Sequence, residues 1–486
     1  MAEQDSKPQI RFSAALSVML FLMAAISTQV FILDSSSTTQ ITLLIVVAFA
    51  AMVALLSGFR WDDIQKGILY GCHLAMLPML ILMLVGVLIA SWVASGTIPA
   101  MIYYGMKILS PEYFLFSACL VCCIGSISTG SSWTTAATFG VGFMGIGIGL
   151  QIDPAITAGA VISGSIFGDK MSPLSDSTNL AAGVAEADLF DHIKSMVYST
   201  GPAIVLTLIS FFIIGLVFQQ AGDVDESRIT LLTNAIRDNY SLNLVTLLPP
   251  VLVVYLAMKK VSGLAVMVVA SMTGALIAIF LQGNNMHDML EFMNYGYQSS
   301  VGIPEIDSVL SRGGLQNMMW TISLGFVALA MGGLFEKTGM LEVLLQRMNA
   351  LVKSVKGLVT VHVFSSIMMN LFSAAQFLAI IIPGRMLVPV YRKHKLLPQV
   401  CSRVCEDSAT VTSPLIPWGL GGVYYTSVLS VATLDYLPYT LFAFFAPMMT
   451  LLLAYTNKYM FREGDIPSIK TYANDDNNDN TQRHSV

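Results

Sequence analysis

The chain has 486 residues, of which 55% are hydrophobic and only 11% are charged, and its mean hydropathy is +0.70. A soluble domain carries roughly 25% charged residues, so this composition excludes an ordinary soluble protein and indicates a protein that lies in a bilayer. The net charge of -5 is spread over loops and tails and indicates no nucleic-acid partner, and no polar stretch is long enough for a second domain.

Apolar runs recur along the chain, and each, at about 20 residues, is long enough to cross roughly 30 Å of hydrocarbon. The first run, 12–33, is too long for the core of a signal peptide, so we expect it to remain as a helix. Residues 98–110 and 284–312 are expected to be interfacial segments or loops. The pattern predicts spanning helices near 12–33, 40–58, 68–95, 155–183, 196–219, 242–258, 262–281, 315–336, 399–422 and 434–457.

Two further apolar regions, 113–149 and 360–384, are interrupted near their centres by small and polar residues. The interruptions are Gly125–Ser132 and Asn370–Gln376. Irregular backbone at membrane depth is tolerated only where protein or a wet cavity covers it. We therefore expect two re-entrant hairpins with tips near the middle of the membrane. Two ordinary helices joined by a polar turn remain the alternative.

The predicted spans 155–183 and 399–422 both contain charged residues and proline. Asp169, Lys170 and Asp176 cannot lie in hydrocarbon cheaply, and Pro173 beside them lacks a backbone N–H. Glu406 and Asp407 precede a similar Ser-Pro-Leu stretch in the second span. Two interrupted helices at corresponding places in the two halves are typical of a secondary transporter.

The two halves of the chain align with a steady offset. Gly71 and Gly314 are 243 positions apart, as are Gly96 and Gly339, although the match fades over the first two helices of each half. Five crossings and a hairpin in each half make the second half run upside down. We therefore predict an all-α polytopic membrane protein of two inverted repeats, 1–240 and 241–460, each with five spanning helices, a re-entrant hairpin and one broken helix. Residues 461–486 are predicted to form a disordered cytoplasmic tail.

Basic residues indicate one orientation in the membrane. If the N-terminus is cytoplasmic, Arg60, Lys66, Lys259, Lys260 and Arg392 all fall on inside segments. This distribution follows the positive-inside rule. It predicts that both termini are cytoplasmic in a multi-pass protein of a bacterial inner membrane.

The broken helices offer the ligands that a small hard cation such as sodium requires, which are carboxylate, hydroxyl and carbonyl oxygens. A carboxylate in a low-dielectric site can also take up a proton near neutral pH, so sodium and a proton can compete for it. We predict sodium at Asp169 and Asp176. The full predicted ion site is Asp169, Ser172, Ser175, Asp176, Ser177, Thr178 and Asn179 with Glu406, Asp407, Ser408, Thr412 and Ser413. The alternatives are a structural Asp169–Lys170 ion pair, and neutralisation of Glu406 and Asp407 by the nearby Arg403.

The hairpin tips could hold a small organic solute beside the same ion site. Their candidate polar groups are Ser128, Thr129, Ser131, Ser132, Asn370, Ser373 and Gln376. The chain has no nucleotide-binding motif, nucleophile triad or zinc-module spacing, so we expect neither an ATP-driven pump nor an enzyme, and no cofactor besides the transported ions. The cysteines, among them Cys401 and Cys405, and the histidines His73 and His362 are interpreted as packing residues.

Several motifs resemble those of NhaC-type sodium/proton antiporters. They are Gly168–Ala181, Ile381–Met386, Glu406–Ser408 and Ser413–Trp418, and the resemblance extends over most of residues 60–450. It implies the ion-transporter superfamily architecture, with inverted repeats, paired hairpins and broken helices, and makes a homodimer plausible. The activity it implies is sodium/proton antiport by alternating access around a midplane site.

The chain departs from this family pattern at two positions. Ala375 stands before Gln376, where family members often carry an acidic residue, and Gly419 follows Trp418, where a polar residue is common. Both differences remove oxygen ligands. The family also includes exchangers of malate and lactate. The alternative is therefore a sodium-coupled carrier or exchanger of an amino acid or small carboxylate.

Overall fold

The computed structural model describes residues 8–33, 38–221, 226–350 and 352–462. In these ranges the regular structure is helical apart from one isolated bridge between Leu396 and Arg462, which confirms the predicted all-α class. The predicted tail 461–486 lies outside the described residues from 463 onward.

The described part of the first half contains ten helices, with polar breaks between α5 and α6 and between α8 and α9. Its helices are α1 Phe12–Phe31, α2 Thr39–Leu56, α3 Trp61–Ala94, α4 Thr97–Ile108, α5 Pro111–Thr129, α6 Ser132–Thr135, α7 Val141–Gly149, α8 Pro154–Met171, α9 Asp176–Ala185 and α10 Leu189–Ala221. A π-helical turn, Ala136–Gly140, joins α6 to α7. The region 113–149 contains α5 and the returning arm α6–α7; that it is re-entrant stays a prediction, because α5 is itself long and apolar enough to cross a membrane.

Apart from its first helices, the second half has its helices in an order similar to that of the first half. Its helices are α11 Glu226–Asn239, α12 Leu248–Met258, α13 Gly263–Phe280, α14 Met286–Tyr295, α15 Pro304–Leu310, α16 Met319–Lys337, α17 Met340–Asn349, α18 Val355–Ser373, α19 Gln376–Lys393, α20 Pro398–Cys405, α21 Leu420–Leu429, α22 Thr433–Tyr436 and α23 Leu441–Thr456. Short 3-10 turns occupy Leu244–Leu247, Gln316–Met318, Ser413–Leu415 and Leu437–Tyr439, and Glu406–Thr410 forms a π-helical turn.

Eight helices in the described ranges are long and apolar enough to cross a membrane, or ten if each of two bent pairs is one span. This confirms the polytopic membrane class. The predicted spans 155–183 and 399–422 are divided by non-helical residues, and neither region, as described, contains a helix that is both long and apolar enough to count as a span. Two other predicted spans belong to bent pairs, with α11 and α12 meeting at 98° and α22 and α23 at 53°.

Left-handed residues end corresponding elements in the two halves. Gly96 and Gly339, with φ of 77° and 74°, precede α4 and α17. Gly130 and Ala374, with φ of 67° and 57°, end the first arms of the two hairpins and are 244 positions apart. The turn chemistry thus repeats at nearly the offset seen in the sequence. The division into inverted repeats at residue 240 stays a prediction.

Glycines bring the long helices α3 and α16 into backbone contact. A Cβ atom at Gly71 would lie 2.0 Å from the carbonyl oxygen of Leu329, and one at Gly333 would lie 2.5 Å from the carbonyl oxygen of Gly67. Small residues permit this approach, which membrane helices use because lipid supplies no hydrophobic force between them. The same device joins the hairpin to the first broken helix, since a Cβ at Gly168 of α8 would lie 2.2 Å from the backbone nitrogen of Ile127 in α5.

We expect Gly71→Ala to destabilise the protein, because the added methyl group would push α3 away from the backbone of α16. Overpacking of this kind costs about 1–3 kcal/mol. The midpoint of thermal unfolding, followed by tryptophan fluorescence in detergent, should fall. Gly263→Ala is the matched control, because a Cβ there meets no atom within 4 Å. Equal midpoints for the two variants would contradict this account of the interface.

Candidate ion-binding site

The first broken helix is interrupted by four residues between α8 and α9. Ser172 leaves the helical conformation, with φ of −85° and ψ of 128°, and its hydroxyl accepts a hydrogen bond from the backbone N–H of Leu174 at 3.3 Å. Pro173 follows it and has no N–H to offer to a helix. A turn from the N–H of Ser175 to the carbonyl of Ser172, at 3.1 Å, leads into α9. The interruption is thus fixed by local sequence.

The second broken helix widens into a π-helical turn over Glu406–Thr410. Hairpin 2, formed by α18 and α19, satisfies part of this irregular backbone. The Asn370 side-chain amide donates to the carbonyl of Ala409 at 2.6 Å and to the hydroxyl of Thr412 at 3.0 Å. Within the turn, the hydroxyls of Ser408 and Thr412 donate to the carbonyls of Val404 and Ser408 at 2.5 and 2.6 Å. Ser413 is buried directly after it.

The tip of hairpin 1, formed by α5 with α6 and α7, contacts the first interruption. Asp169 is half-buried, and one of its carboxylate oxygens accepts a hydrogen bond from Ser132 at 2.8 Å. The other oxygen accepts one from Ser175 at 2.9 Å. The Thr178 hydroxyl donates to the carbonyls of Asp169 and Lys170 at 2.8 and 2.9 Å. The structure thus brings the predicted ion-site residues Asp169, Ser175 and Thr178 together, and adds Ser132, which was predicted for the hairpin tip.

Lys170 and Asp407 form an ion pair between the two broken helices. Both side chains are fully buried, and the Lys170 ammonium donates to one carboxylate oxygen of Asp407. The other oxygen accepts a hydrogen bond from the hydroxyl of Thr450 in α23. The alternative pairing of Lys170 with Asp169 is wrong, because the lysine extends across to the opposite half. Asp407 therefore already has a counter-charge from the protein itself.

Arg403 does not neutralise the second acidic pair by direct contact. Its guanidinium donates to the carbonyl and hydroxyl oxygens of Ser195, both at 3.3 Å, and to the carbonyl of Tyr459 at 3.1 Å. Among the described residues Arg403 makes no ion pair with Glu406 or Asp407, and neutralisation of that acidic pair by the nearby arginine charge stays a prediction. The arginine instead ties α20 to α10 and to the segment after α23.

Glu406 is a fully buried carboxylate outside the Lys170–Asp407 ion pair. Among the residues that the structure describes, no donor makes a hydrogen bond of normal geometry to either of its carboxylate oxygens. The ammonium of Lys170 and the hydroxyls of Ser177 and Thr410 lie near it. An ionised carboxylate isolated from water is very costly, so this side chain requires a bound cation or a proton. Ser177 is further linked to Ser175 through a hydroxyl–hydroxyl contact of 3.1 Å.

Asp176 and Asn179 lie away from this buried group, on the exposed side of α9. The Asn179 amide donates to the carbonyls of Pro173 and Ser175, at 3.0 and 2.8 Å, and so supports the interruption. Asp176 lines a cavity of about 330 Å³ together with Ser131, Thr134 and Lys260. The cavity reaches the tip of hairpin 1. A sodium ion held jointly by Asp169 and Asp176 stays a prediction.

Most polar groups predicted at the hairpin tips are engaged with the backbone of their own hairpin. Ser128 donates to the carbonyl of Ile124 at 2.8 Å and Ser373 to that of Met369 at 2.7 Å. Thr129 donates to the carbonyl of Ser131 at 3.2 Å, and the Ser131 hydroxyl caps α6. Gln376 reaches outward, to the hydroxyl of Thr410 at 3.4 Å. Most of these hydroxyl groups are therefore already engaged as donors, and Gln376 connects the tip of hairpin 2 to the ion site.

Sequence reasoning missed three polar side chains near the site. Thr450 binds Asp407, and its only signal was a hydroxyl in an otherwise apolar span. The buried hydroxyl of Tyr425 makes no hydrogen bond and lies near Ser132 and Asp169. Tyr424 stacks on Trp133 with ring centroids 4.1 Å apart and donates to its carbonyl at 2.6 Å. The last contact joins hairpin 1 to α21.

Relatives of known name cover nearly the whole chain. The Na(+)/H(+) antiporter NhaC of Alkalihalophilus pseudofirmus is 41% identical over 435 residues, which are 89% of this chain and 93% of that protein. The Na(+)/H(+) antiporter NhaC of Bacillus subtilis is 36% identical over 456 residues, 93% of this chain and 100% of that protein. The malate-2H(+)/Na(+)-lactate antiporter of Bacillus subtilis is 30% identical over 459 residues, 94% of this chain and 97% of that protein.

A family model described as the Na+/H+ antiporter family matches residues 9–178 and 164–458, and so covers both broken helices and both hairpins. The resemblance identified from the motifs is confirmed. This chain belongs to the Na+/H+ antiporter family.

Proposed function

We propose that the chain is a sodium/proton antiporter and that Glu406 is the group for which the two ions compete. The observation that carries the proposal is the fully buried carboxylate of Glu406, whose two oxygens receive no hydrogen bond of normal geometry from the described residues. Membership of the family and the names of the two NhaC relatives support it. Asp407 is a poorer candidate for the exchanging group, because Lys170 and Thr450 already occupy both of its oxygens.

Exchange follows because it is energetically costly to bury the ionised Glu406 carboxylate with neither sodium nor a proton bound. A sodium ion would receive oxygen ligands from the carboxylate, from the hydroxyls of Ser177 and Thr410, and from carbonyls of the π-helical turn. A proton would neutralise the same carboxylate. Either form can be buried during the passage between the two sides of the membrane, whereas the ionised empty form cannot be buried cheaply. The site therefore exchanges one ion for the other.

We propose that ions approach the site past Asp176. This residue lines the cavity of about 330 Å³ that reaches Ser131 and Thr134 at the tip of hairpin 1. Asp169 would be the next oxygen ligand, because Ser132 and Ser175 hold its carboxylate beside the same interruption. The predicted sodium ligands Asp169 and Asp176 thus become an entry path to Glu406 in this proposal.

We also propose that the protein lies in the bacterial inner membrane with both termini cytoplasmic, as the basic residues indicate. The two inverted repeats are supported by the matched left-handed turns at Gly130 and Ala374 and at Gly96 and Gly339. Alternating access would then be the movement of the hairpins and broken helices relative to α3 and α16. The homodimer expected for this architecture stays a prediction, and sodium and protons are the only ions or cofactors in the proposal.

An organic solute is the second candidate, because one relative is named as a malate and lactate antiporter. The hairpin tips would have to bind it. The hydroxyls of Ser128, Thr129 and Ser373 already donate to backbone carbonyls, and the Asn370 amide is held by the π-helical turn. Few groups remain to recognise a carboxylate or amino acid, so ion exchange is the better-supported function.

We expect Glu406→Gln to abolish sodium/proton exchange, because the amide keeps the shape but cannot take up a proton or balance a sodium charge. Vesicles acidified inside should show sodium-dependent dequenching of a pH-sensitive dye with the native protein and none with this variant. Glu342→Gln, an exposed glutamate on α17, is the matched control and should retain full exchange. Exchange by Glu406→Gln at the native rate would remove Glu406 from its proposed role.

Asp407→Asn should destabilise the protein strongly, since removing one partner of a buried ion pair costs about 3–5 kcal/mol. The asparagine can still accept a hydrogen bond from Thr450, so the loss isolates the Lys170 charge. The double variant Lys170→Met/Asp407→Asn should recover most of the unfolding temperature, because the charge of Lys170 is then no longer buried without its aspartate. Additive losses in the double variant would mean that the two residues do not act as a pair.

Proteoliposomes with an imposed sodium gradient should accumulate neither labelled malate or lactate nor labelled amino acids above protein-free vesicles. The reason is that the polar groups of the hairpin tips are already engaged. The same vesicles should exchange sodium for protons, which serves as the positive control. Sodium-dependent uptake of any of these solutes would favour the second candidate.

A further inference from the structure

A cluster of two thiols and one imidazole lies behind the ion site. His362 is on α18, the first arm of hairpin 2, and Cys401 and Cys405 are one turn apart on α20. The ring nitrogen and the two sulfur atoms all lie within 4.8 Å of one another, and all three residues are fully buried. Both cysteines are free thiols. Nothing in the proposed ion exchange uses this cluster.

The spacing of the cluster suits a tetrahedral metal. The Nε2 atom of His362 lies 3.4 Å from the Sγ atom of Cys405. Ligand bonds to zinc of about 2.3 Å for sulfur and about 2.0–2.1 Å for nitrogen, at a tetrahedral angle, separate such atoms by about 3.6 Å. Only a small movement would therefore bring the two atoms to zinc-ligand positions.

The imidazole is also oriented for this role. Its Nδ1 atom lies 2.9 Å from the hydroxyl of Tyr391 on α19, and the two rings meet edge to face. A hydrogen bond at one nitrogen fixes the ring and presents the other nitrogen to the thiols, which is the arrangement found behind histidines that bind metals. Tyr391 is itself fully buried, so the ring has little freedom to turn away.

We propose that His362, Cys401 and Cys405 bind one thiophilic divalent cation, Zn2+, as a site distinct from the sodium site. Zinc would displace one proton from each thiol, and both protons would leave to the solvent. Two thiols and a neutral imidazole carry no net charge, and a zinc ion with two thiolates and the imidazole carries none either. Loading therefore leaves no uncompensated charge in the buried cluster. Sulfur and nitrogen ligands select zinc over sodium or magnesium.

The position of the cluster gives zinc a regulatory effect, which rests on the proposed antiport function. Cys405 directly precedes the π-helical turn that carries Glu406, and His362 belongs to the hairpin whose Asn370 binds that turn. A metal bound to all three residues would fasten α18 to α20. The turn could then no longer rearrange, and zinc would slow exchange without competing with sodium.

Co2+ is the probe that tests the site itself. The purified full chain, kept reduced in detergent with a phosphine, should bind one Co2+ per chain with a thiolate-to-cobalt absorption band that Zn2+ removes. Cys401→Ala/Cys405→Ala should lose the band. The control Cys119→Ala/Cys123→Ala, which changes two buried cysteines of α5, should keep it. If the native protein shows no band, or if the first double variant retains it, the three side chains only pack together and bind no metal.

His362→Gln serves if the double variant does not fold, because it keeps both thiols and removes only the nitrogen ligand. It should weaken Co2+ binding at least tenfold, and unchanged binding would exclude the histidine from the site. The regulatory effect has its own measurement, in which Zn2+ slows sodium/proton exchange by native vesicles but not by Cys401→Ala/Cys405→Ala vesicles. Equal inhibition of both would exclude the regulatory effect but leave the Co2+ result intact. If the protein showed no exchange activity at all, the Co2+ band would still show whether the cluster binds metal.

Discussion

The structure depends on the requirement that every charge at membrane depth have a partner. Lys170 and Asp407, 237 positions apart, pair across the two broken helices, and Thr450 completes the hydrogen bonding of the aspartate. Asp169 is held by two serine hydroxyls. Among the described buried carboxylates of the two broken helices, Glu406 is left without a hydrogen bond of normal geometry, although the Lys170 ammonium lies near it. A transporter needs such a group, because its partner must be the ion that comes and goes.

The irregular backbone around these charges obeys the same requirement. Helices that stop at membrane depth expose carbonyl and N–H groups, and the hairpin of the same half supplies partners for the second broken helix. Asn370 binds the carbonyl of Ala409, the N–H of Leu420 binds the carbonyl of Ala374 at 3.0 Å, and the indole of Trp418 binds the carbonyl of Leu371 at 2.8 Å. Hairpin 2 and the second broken helix are therefore one hydrogen-bonded unit. Movement of the hairpin would carry the turn that holds Glu406.

The sequence was sufficient to predict the helix interruptions, but it was insufficient to predict which side chains pair across the fold. Proline and serine at 172–175 fixed the first interruption locally, and Gly130 and Gly96 marked turns that need a left-handed residue. Local sequence did not indicate that the partner of Lys170 is Asp407. Asp169 is its neighbour in sequence, but successive residues of a helix point in different directions, and the lysine extends to the opposite half. The same reason explains why Arg403, although close to the acidic pair in sequence, does not contact it: its side chain points towards Ser195. His362 lies 39 positions before Cys401 and 43 before Cys405, so no local spacing in the sequence indicates that the three residues meet.

The central claim is that sodium and a proton compete for the buried carboxylate of Glu406. Calorimetric titration of the purified protein with sodium, in buffers of different ionisation enthalpy and at several pH values, tests it most directly. If the two ions compete for Glu406, sodium binding weakens as the pH falls, each sodium ion that binds releases one proton, and Glu406→Gln shows no binding heat. Sodium affinity that is independent of pH and unaccompanied by proton release, or sodium binding by Glu406→Gln at native affinity, would contradict it.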